Sequence, residues 1–279
     1  MKLSELQRSY SECIQIGKGG QKTVYRVKAG SSIFALKIIP NSSDARVKQE
    51  IGILTSLQCS NVPHVYESGI VVDDVTGDEM LYMIEEFIDG SSLRSILQAE
   101  GCIDIVLGSR ILETLLRIEC TLEERQIIHR DIKPDNIMIT RNATVYLVDF
   151  GIAKVVTADS LTLTSQIHGP CTPLYAPREL AENARRQQDV RTDLYQIGVS
   201  LYESFAGENP FKPKNISENV WDNITTIIPS PIVIPGDTKG LLMRYLSMLM
   251  AKNQSQRPNS AKQALKYYLS IKQTLNLEG

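Results

Sequence analysis

The chain changes character at about residue 90, and this change constrains its fold more than any other feature. Before that point, short apolar runs alternate with polar residues between turn signals, a pattern typical of β-strands. "TVYRVKAGSSIFALKII" reads as two strands around residues 29–32, and "VYESGIVVDDVTGDEMLYMIEE" reads as a hairpin around Gly77. One helix interrupts the strands, since Ser43 or Asp44 is a good N-cap and an apolar stripe at helical spacing follows it.

Helical spacing dominates after Gly90. Helices are predicted over residues 92–99, over a long stretch that ends near residue 125, and over 192–206, 238–251 and 260–271. A short strand pair, "NIMIT" and "TVYLVDF", interrupts them around residues 141–143. The fold class is therefore α+β, with a small antiparallel sheet lobe that holds one main helix and a larger, mainly helical lobe.

Composition limits the classes of function. The 279 residues suffice for one large domain or two lobes, and the formal net charge of −2 leaves no excess of Lys and Arg to neutralise nucleic-acid phosphates. Five scattered cysteines without a CxxC pair argue against structural zinc and suit a reducing compartment. The N-terminus does not resemble a secretory signal, and no apolar run is long enough to span a bilayer. We therefore expect a soluble, cytoplasmic protein without a nucleic-acid or membrane partner.

Two charged residues occupy positions where burial is expected. Lys37 lies inside "FALKII", an otherwise apolar strand, and Glu50 lies on the apolar stripe of the helix that precedes the hairpin. A buried charge is costly unless it is paired, so each of these residues is the natural partner of the other. Spacing alone does not exclude the alternative, in which the glutamate reaches solvent and the lysine lies on an edge strand without any relation to it.

A second cluster of polar residues precedes the strand pair. In "HRDIKPDNIMI", Asp131 and Asn136 can point into one site across the turn that Pro134 enforces. Asp149 of "YLVDFG" ends the partner strand at a glycine, which brings a second oxygen ligand close to Asn136. One carboxylate and one amide oxygen suit Mg²⁺, which takes few protein groups and completes its shell with phosphate oxygens and water.

The stretch "GKGGQKTVYRV" begins at Gly17 and contains three glycines in four positions. Alone it fits a plain hairpin turn better than a phosphate-binding loop, because the last glycine of the usual loop pattern is missing. Phosphoryl transfer needs hydrogen-bond donors for the phosphates, a cation that neutralises them, a metal site and a group that orients the attacking oxygen. Lys37, Asp149, Asn136 and Asp131 fill the last three of these roles.

These motifs occur together in an order and at spacings that resemble a eukaryotic-type serine/threonine protein kinase domain, from about Cys13 to Leu269. The resemblance implies a bilobal fold in one domain over residues 1–279, with the N-lobe at about 1–85, the hinge at 86–90, the C-lobe at 91–270 and a short tail at 271–279. It implies transfer of the ATP γ-phosphate to Ser or Thr hydroxyls of protein substrates, with Mg²⁺ or alternatively Mn²⁺. A pseudokinase scaffold and a small-molecule kinase of similar fold are the alternatives, and the oligomeric state is open.

The resemblance also implies catalytic roles by position. Asp131 corresponds to the catalytic base, and Lys133 corresponds to the lysine that steadies the transferred phosphate. The full set of matched catalytic residues is Asp131, Lys133, Lys37, Glu50, Asn136 and Asp149. Within it, Lys37 binds the α- and β-phosphates with Glu50 as its helix partner, while Asn136 and Asp149 hold the magnesium ions.

Nucleotide contacts and structural roles follow in the same way. The residues implied to contact the nucleotide are Gly17, Lys18, Gly19, Gly20, Val24, Ala35, Lys37, Glu86 and Ile88, the last two through their backbone. Asp193 is implied to brace the backbone of the loop around Asp131. Arg257 is implied to pair with Glu179, which closes the activation segment.

Regulation is implied by Arg130, which precedes Asp131 as in kinases whose activation segment is ordered by a phosphate that pairs with this arginine. The candidate phosphorylation sites are Thr157, Ser160, Thr162, Thr164 and Ser165, although for each one alone an ordinary polar loop residue is the simpler interpretation. Thr172, near the end of the segment, is expected to hydrogen-bond Asp131 and Lys133.

Several positions depart from the family pattern, among them Cys171, which stands for a glycine. Lys22 replaces the last glycine of the loop, and Arg178 stands where a proline is usual, which bears on how a peptide substrate docks. Glu85 stands behind the adenine pocket, where an apolar residue is common. A carboxylate there must find a donor or take up a proton.

Overall fold

The computed structural model describes residues 1–19, 22–40, 55, 57–149, 172–182, 188–215 and 217–277. The described residues form two compact units, one that ends at Asp89 and one that begins at Gly90. The helix predicted to start at Ser43 or Asp44 lies outside the described residues.

The first unit is a five-stranded antiparallel sheet in the order β1-β2-β3-β5-β4. Its strands are β1 (Glu12–Lys18), β2 (Thr23–Ala29), β3 (Ser32–Pro40), β4 (Val65–Val72) and β5 (Glu79–Glu86). Both predicted hairpins are confirmed, since β2 pairs with β3 and β4 pairs with β5. Gly77 allows the second turn because its φ of 76° is unfavourable for other residues.

The strand register divides this sheet into two faces, because successive side chains point to opposite sides. The side chains on one face pack in a buried apolar cluster. On the other face, Val24 stands opposite Lys37, and Ala35 stands opposite Glu85. The sheet therefore places Val24, Ala35 and Lys37, three of the residues expected to contact a nucleotide, on the face away from its main apolar cluster.

A short helix that the sequence did not predict, α1 (Leu3–Arg8), covers the apolar face. Leu3 and Leu6 pack with the buried cluster. Ser4 donates from its amide and its hydroxyl to the Asp74 carboxylate at 2.8 and 2.6 Å. Six residues are too few to show a helical period, and the polar composition of the segment conceals its two leucines.

The second unit contains a three-stranded sheet in the order β6-β7-β8, formed by Gly90–Ser92, Ile137–Thr140 and Val145–Leu147. Its helices are α2 (Leu93–Glu100), α3 (Ile105–Glu124), α4 (Arg178–Ala181), α5 (Val190–Ala206), α6 (Val220–Thr226), α7 (Leu241–Leu249) and α8 (Ala261–Lys272). Helix α5 is almost entirely buried, and α3 and α7 pack against it. It is therefore the rigid centre from which this unit can position a site.

The five helices predicted in this unit are confirmed, with ends that shift by one to three residues. Helix α7 begins only at Leu241 because Gly240 adopts a left-handed conformation with φ of 61°. Strand β6 and the short helices α4 and α6 were not predicted. None of the helices in the described part of the chain is both long and apolar enough to cross a membrane.

Candidate functional site

Lys37 and Glu85 form an ion pair in the first unit. Their side chains are only 10% and 9% exposed. They meet because they are diagonal neighbours across β3 and β5, where Lys37 stands opposite Met83 and Ala35 stands opposite Glu85. Glu85 thus finds the donor that its burial requires. Glu50, the predicted partner of Lys37, lies outside the described residues, so that pairing stays a prediction.

The glycine-rich stretch lies in the β1–β2 hairpin. The Gly19 amide donates to the Lys22 carbonyl at 2.9 Å, and Lys18 pairs with Thr23. Among the described residues, a Cβ added at Gly17 or Gly19 would meet no atom closer than 3.8 Å, so packing does not require either glycine. This open space fits the close approach of a phosphate to the backbone. Gly20 lies outside the described part of the chain.

The end of β5 carries the residues expected to contact adenine. The Glu86 amide donates to the His64 carbonyl at 2.8 Å, so an adenine contact from that amide would compete with this bond. Ile88 follows the strand and is half-buried. Val24 is also half-buried, and Ala35 is 9% exposed on the face that carries Lys37.

In the second unit, α5 holds the backbone of residues 129–136, which we call the 129–136 loop. Asp193 accepts hydrogen bonds from the amides of His129 and Arg130 at 2.7 and 2.8 Å. Gln196 accepts from the Ile132 amide at 2.9 Å and donates to the Arg130 carbonyl at 3.1 Å. The brace implied for Asp193 is therefore present. Gln196 was missed because a helical glutamine carries no sequence signal for such a contact.

These bonds hold a strained backbone. Arg130 has a φ of 66°, a conformation that costs a non-glycine residue about 1–3 kcal/mol and tends to occur at functional sites. The pKa of Asp193 is raised to about 7, because the effect of burial outweighs the opposing effects of the two amide donors and the Arg130 charge. The loop conformation thus depends on a buried carboxyl group of α5.

The Asp131 carboxylate lies at the centre of a closed set of polar contacts. Lys133 Nζ is 3.1 Å from Asp131 Oδ2 and donates to the Thr172 hydroxyl at 2.9 Å. That hydroxyl in turn donates to Asp131 Oδ1 at 3.0 Å. Both hydrogen bonds predicted for Thr172 are therefore confirmed. A carboxylate fixed in this way is oriented to accept a proton from a substrate hydroxyl.

Asn136 and Asp149 are brought close by the β7–β8 pair. The Val148 amide donates to the Asn136 carbonyl at 2.9 Å, which places Asp149 next to the start of β7. The Asn136 amide nitrogen donates to the Asp131 carbonyl at 2.8 Å and to its carboxylate at 3.1 Å, so its side-chain oxygen points elsewhere as an acceptor. One amide oxygen and one carboxylate form a donor set that fits Mg²⁺.

Glu179 and Arg257 form the buried pair that the resemblance implied. Arg257 Nη1 is 2.6 Å from Glu179 Oε1, and the two side chains are 0% and 5% exposed. Arg257 also donates to three backbone carbonyls, and Thr192 donates to the same Glu179 oxygen at 3.2 Å. The pair fixes the end of the activation segment to the base of the unit.

The candidate phosphorylation sites Thr157, Ser160, Thr162, Thr164 and Ser165 lie outside the described residues. Arg130 is described, and its Nε is buried without a hydrogen-bond partner in the described part of the chain. A buried guanidinium nitrogen of this kind is costly, so it is suited to pairing with an anion.

Comparison with known proteins agrees with this geometry. The family model described as "Protein kinase domain" matches residues 10–269. The chain is 29% identical over 243 residues to "Probable serine/threonine-protein kinase CPE1738" of Clostridium perfringens, covering 76% of this chain and 33% of that protein. It is 29% identical over 259 residues to "Serine/threonine-protein kinases PknA" of Corynebacterium glutamicum, covering 90% and 54%.

A plant protein shows about the same sequence identity. The chain is 30% identical over 226 residues to "Mitogen-activated protein kinase kinase 1" of Arabidopsis thaliana, which covers 77% of this chain and 61% of the relative. The chain thus spans less than two thirds of each of these three curated relatives.

Proposed function

The chain belongs to the protein kinase domain family, and on that premise we propose that it transfers the γ-phosphate of ATP to Ser or Thr hydroxyls of protein substrates. The contact set of Asp131, Lys133 and Thr172 carries this proposal, because it combines an oriented carboxylate with a lysine beside it. The names of two bacterial relatives, both serine/threonine-protein kinases, support the choice of acceptor.

In the proposed reaction, the substrate hydroxyl oxygen forms a bond to the γ-phosphorus while the bond to the β-phosphate oxygen breaks and ADP leaves. Asp131 accepts the hydroxyl proton. Lys133, which lies 3.1 Å from that carboxylate, steadies the transferred phosphate. Asp193 and Gln196 keep the loop backbone in the strained conformation that aims Asp131.

Different residues would hold the nucleotide and the metal. Lys37 would bind the α- and β-phosphates, with the open hairpin around Gly17 covering them. Asn136 and Asp149 would hold Mg²⁺, which neutralises the charge that develops on the phosphates. A cytoplasmic location stays a proposal that rests on cysteine usage.

This function is tested by measuring ADP formation in the presence of a protein that can accept the phosphate. The protein is incubated with ATP, Mg²⁺ and a generic protein substrate, and ATP binding is measured separately by calorimetry. We expect ADP to form at a rate that rises with the concentration of protein substrate. Measurable ATP binding without ADP formation would support a pseudokinase instead, and turnover with choline or an aminoglycoside alone would indicate a small-molecule kinase.

Substituting Thr172 by Val is expected to slow transfer while it keeps the fold, since the side chains have nearly the same shape. Hydrogen bonds to charged groups contribute about 1.5–3 kcal/mol, so loss of the contacts to Asp131 and Lys133 should lower kcat roughly 10- to 100-fold. Thr172→Ser, which keeps the hydroxyl, serves as the matched control and should retain most of the activity. Equal kcat values for the Val and Ser variants would contradict this role.

Phosphorylation of the activation segment is expected to raise activity through Arg130, whose Nε has no hydrogen-bond partner among the described residues. A phosphate that makes one charge-assisted hydrogen bond there should increase kcat by about tenfold or more. The test compares phosphatase-treated with ATP-treated protein and maps phosphate by mass spectrometry over residues 157–165. In Arg130→Met the two forms should be equally active, whereas an undiminished difference would rule out this arginine as the phosphate partner.

A further inference from the structure

Arg94, on α2, connects three parts of the second unit that are distant in sequence. Its guanidinium donates to Glu203 Oε1 at 2.6 Å, to the Tyr175 hydroxyl at 2.5 Å and to Asp135 Oδ2 at 3.4 Å. Glu203 lies on α5, Tyr175 ends the turn that follows Thr172, and Asp135 belongs to the 129–136 loop. None of the family motifs identified in the sequence includes Arg94.

The contacts around Glu203 are buried and depend on Arg94. Glu203 is 5% exposed and Tyr175 is 3% exposed. The Tyr175 hydroxyl donates to Glu203 Oε2 at 2.5 Å, and Asn209 donates to the same oxygen at 2.9 Å. Across the described ranges, Arg94 is the one cation paired with Glu203. A carboxylate buried this deeply needs that charge, so the guanidinium is held in place as firmly as the carboxylate.

The ionisation states agree with this arrangement. Burial alone would lower the pKa of the Arg94 guanidinium, but its hydrogen bond to Glu203 and the charges around it raise that pKa. Burial raises the pKa of Tyr175, and the nearby Glu203 charge raises it further. Tyr175 therefore stays protonated and donates to Glu203 while it accepts from Arg94.

The turn that carries Tyr175 is short and closed. The Tyr175 amide donates to the Thr172 carbonyl at 3.1 Å, and the Ala176 amide donates to the Pro173 carbonyl at 3.0 Å. Thr172 and Tyr175 are thus opposite ends of a single helical turn. Because their backbones are joined in this way, a displacement of Tyr175 would also shift Thr172, whose hydroxyl contacts both Asp131 and Lys133.

The position of α2 itself is tied to the same loop. Strand β6, which precedes α2, pairs with β7, and β7 directly follows Asn136. A Cβ at Gly90 would meet the Ile139 carbonyl oxygen at 2.5 Å, so glycine is required for this close approach. The Ser92 hydroxyl caps α2 by accepting from the Ser95 amide at 3.1 Å. The start of α2 therefore moves together with the strand that follows the 129–136 loop.

We propose that Arg94 is a positioning residue for phosphoryl transfer, because through Tyr175 it keeps Thr172 in contact with the 129–136 loop. This inference rests on the proposed function. It predicts that a loss of Arg94 lowers the rate of the chemical step and leaves ATP binding unchanged.

The test compares Arg94→Met, Arg94→Lys and Tyr175→Phe with the surface control Arg117→Met. Arg117 is a suitable control because its side chain is 58% exposed and, among the residues that the structure describes, forms an ion pair with Glu113 alone, one helical turn away. Two measurements are made: steady-state kinetics, which give kcat per folded molecule and KM for ATP, and amide hydrogen exchange of residues 172–176. The fraction of folded protein in each sample is determined by circular dichroism.

Arg94→Met and Tyr175→Phe should both lower kcat by about tenfold or more with an unchanged KM for ATP, and both should speed exchange of residues 172–176. Arg94→Lys, which keeps the charge but not the three-way contact, should lie between Arg94→Met and the wild type. Arg117→Met should match the wild type. An unchanged kcat per folded molecule together with unchanged exchange in Arg94→Met would overturn the proposal.

The two measurements separate this inference from the proposed function. If the wild type transfers no phosphate, the proposed function fails, and hydrogen exchange still decides whether Arg94 orders the turn. If the wild type transfers phosphate but the Arg94→Met defect follows only from less folded protein, Arg94 is structural and the positioning role is rejected.

Discussion

Substituting Asp131 by Asn is expected to lower kcat for phosphoryl transfer by about 10²- to 10⁴-fold, which is the contribution typical of a positioned general base. An amide has the same shape as the carboxylate, so its oxygen can still accept from Asn136 while its nitrogen donates to the Thr172 hydroxyl, which reverses that one hydrogen bond. It cannot accept the hydroxyl proton at neutral pH, and it no longer balances the charge of Lys133. The measurement is kcat at saturating ATP together with ATP affinity from calorimetry.

The affinity for ATP should stay unchanged in Asp131→Asn, because Asp131 acts on the acceptor hydroxyl and not on the nucleotide. Asp222→Asn removes an exposed carboxylate from α6 and serves as the control, with an expected kcat equal to that of the wild type. A kcat for Asp131→Asn within a few-fold of the wild type would mean that another group takes the proton.

The second large effect is expected on stability. Arg257→Met should lower the free energy of unfolding by about 3–5 kcal/mol, because it leaves the buried Glu179 carboxylate without its positive partner. The side chains of this pair are 0% and 5% exposed, so water cannot replace the lost contact. The measurement is urea unfolding followed by circular dichroism.

Two controls isolate the charge effect. Arg178→Met breaks another arginine–glutamate pair, with Glu182, but these side chains are 69% and 52% exposed, so a loss of at most about 1 kcal/mol is expected. The double variant Arg257→Met with Glu179→Gln removes both buried charges and should be more stable than Arg257→Met alone. A double variant no more stable than the single one would show that the packing of Arg257, and not its charge, is what matters.

Most of the fold could be predicted because its signals are local. The turn at Gly77 and the strand alternation beside it specify a hairpin without reference to the rest of the chain. The long stretch of apolar residues at helical spacing in α5 predicts a buried helix. In contrast, α1 has six residues and depends on contacts with β4 and β5, which no local pattern reveals.

For the candidate site too, local signals predict some residues, while other contacts depend on the tertiary structure. Asp131, Asn136 and Asp149 were predictable because they flank one strand pair, so their proximity follows from the turn and the register. The contact between Lys37 and Glu85 was not predicted, because it depends on the pairing of β3 with β5, which spacing alone does not determine. The pairing of Lys37 with Glu50 stays a prediction.

Gln196 and Arg94 were missed for a related reason. Their partners lie 41 to 109 residues away, and a polar residue on a helix is indistinguishable from any solvent-facing one until the tertiary contacts are known.

Transfer of the γ-phosphate to Ser or Thr hydroxyls is tested most directly by identifying the acceptor. The wild-type protein is incubated with Mg²⁺, ATP labelled in its γ-phosphate, and peptides that contain Ser, Thr or Tyr as their single hydroxyl residue. Mass spectrometry should find the label on Ser or Thr peptides, not on Tyr peptides, and not in the Asp131→Asn reaction. Bound ATP with no labelled peptide or self-labelled protein, or label on Tyr alone, would contradict the proposed function.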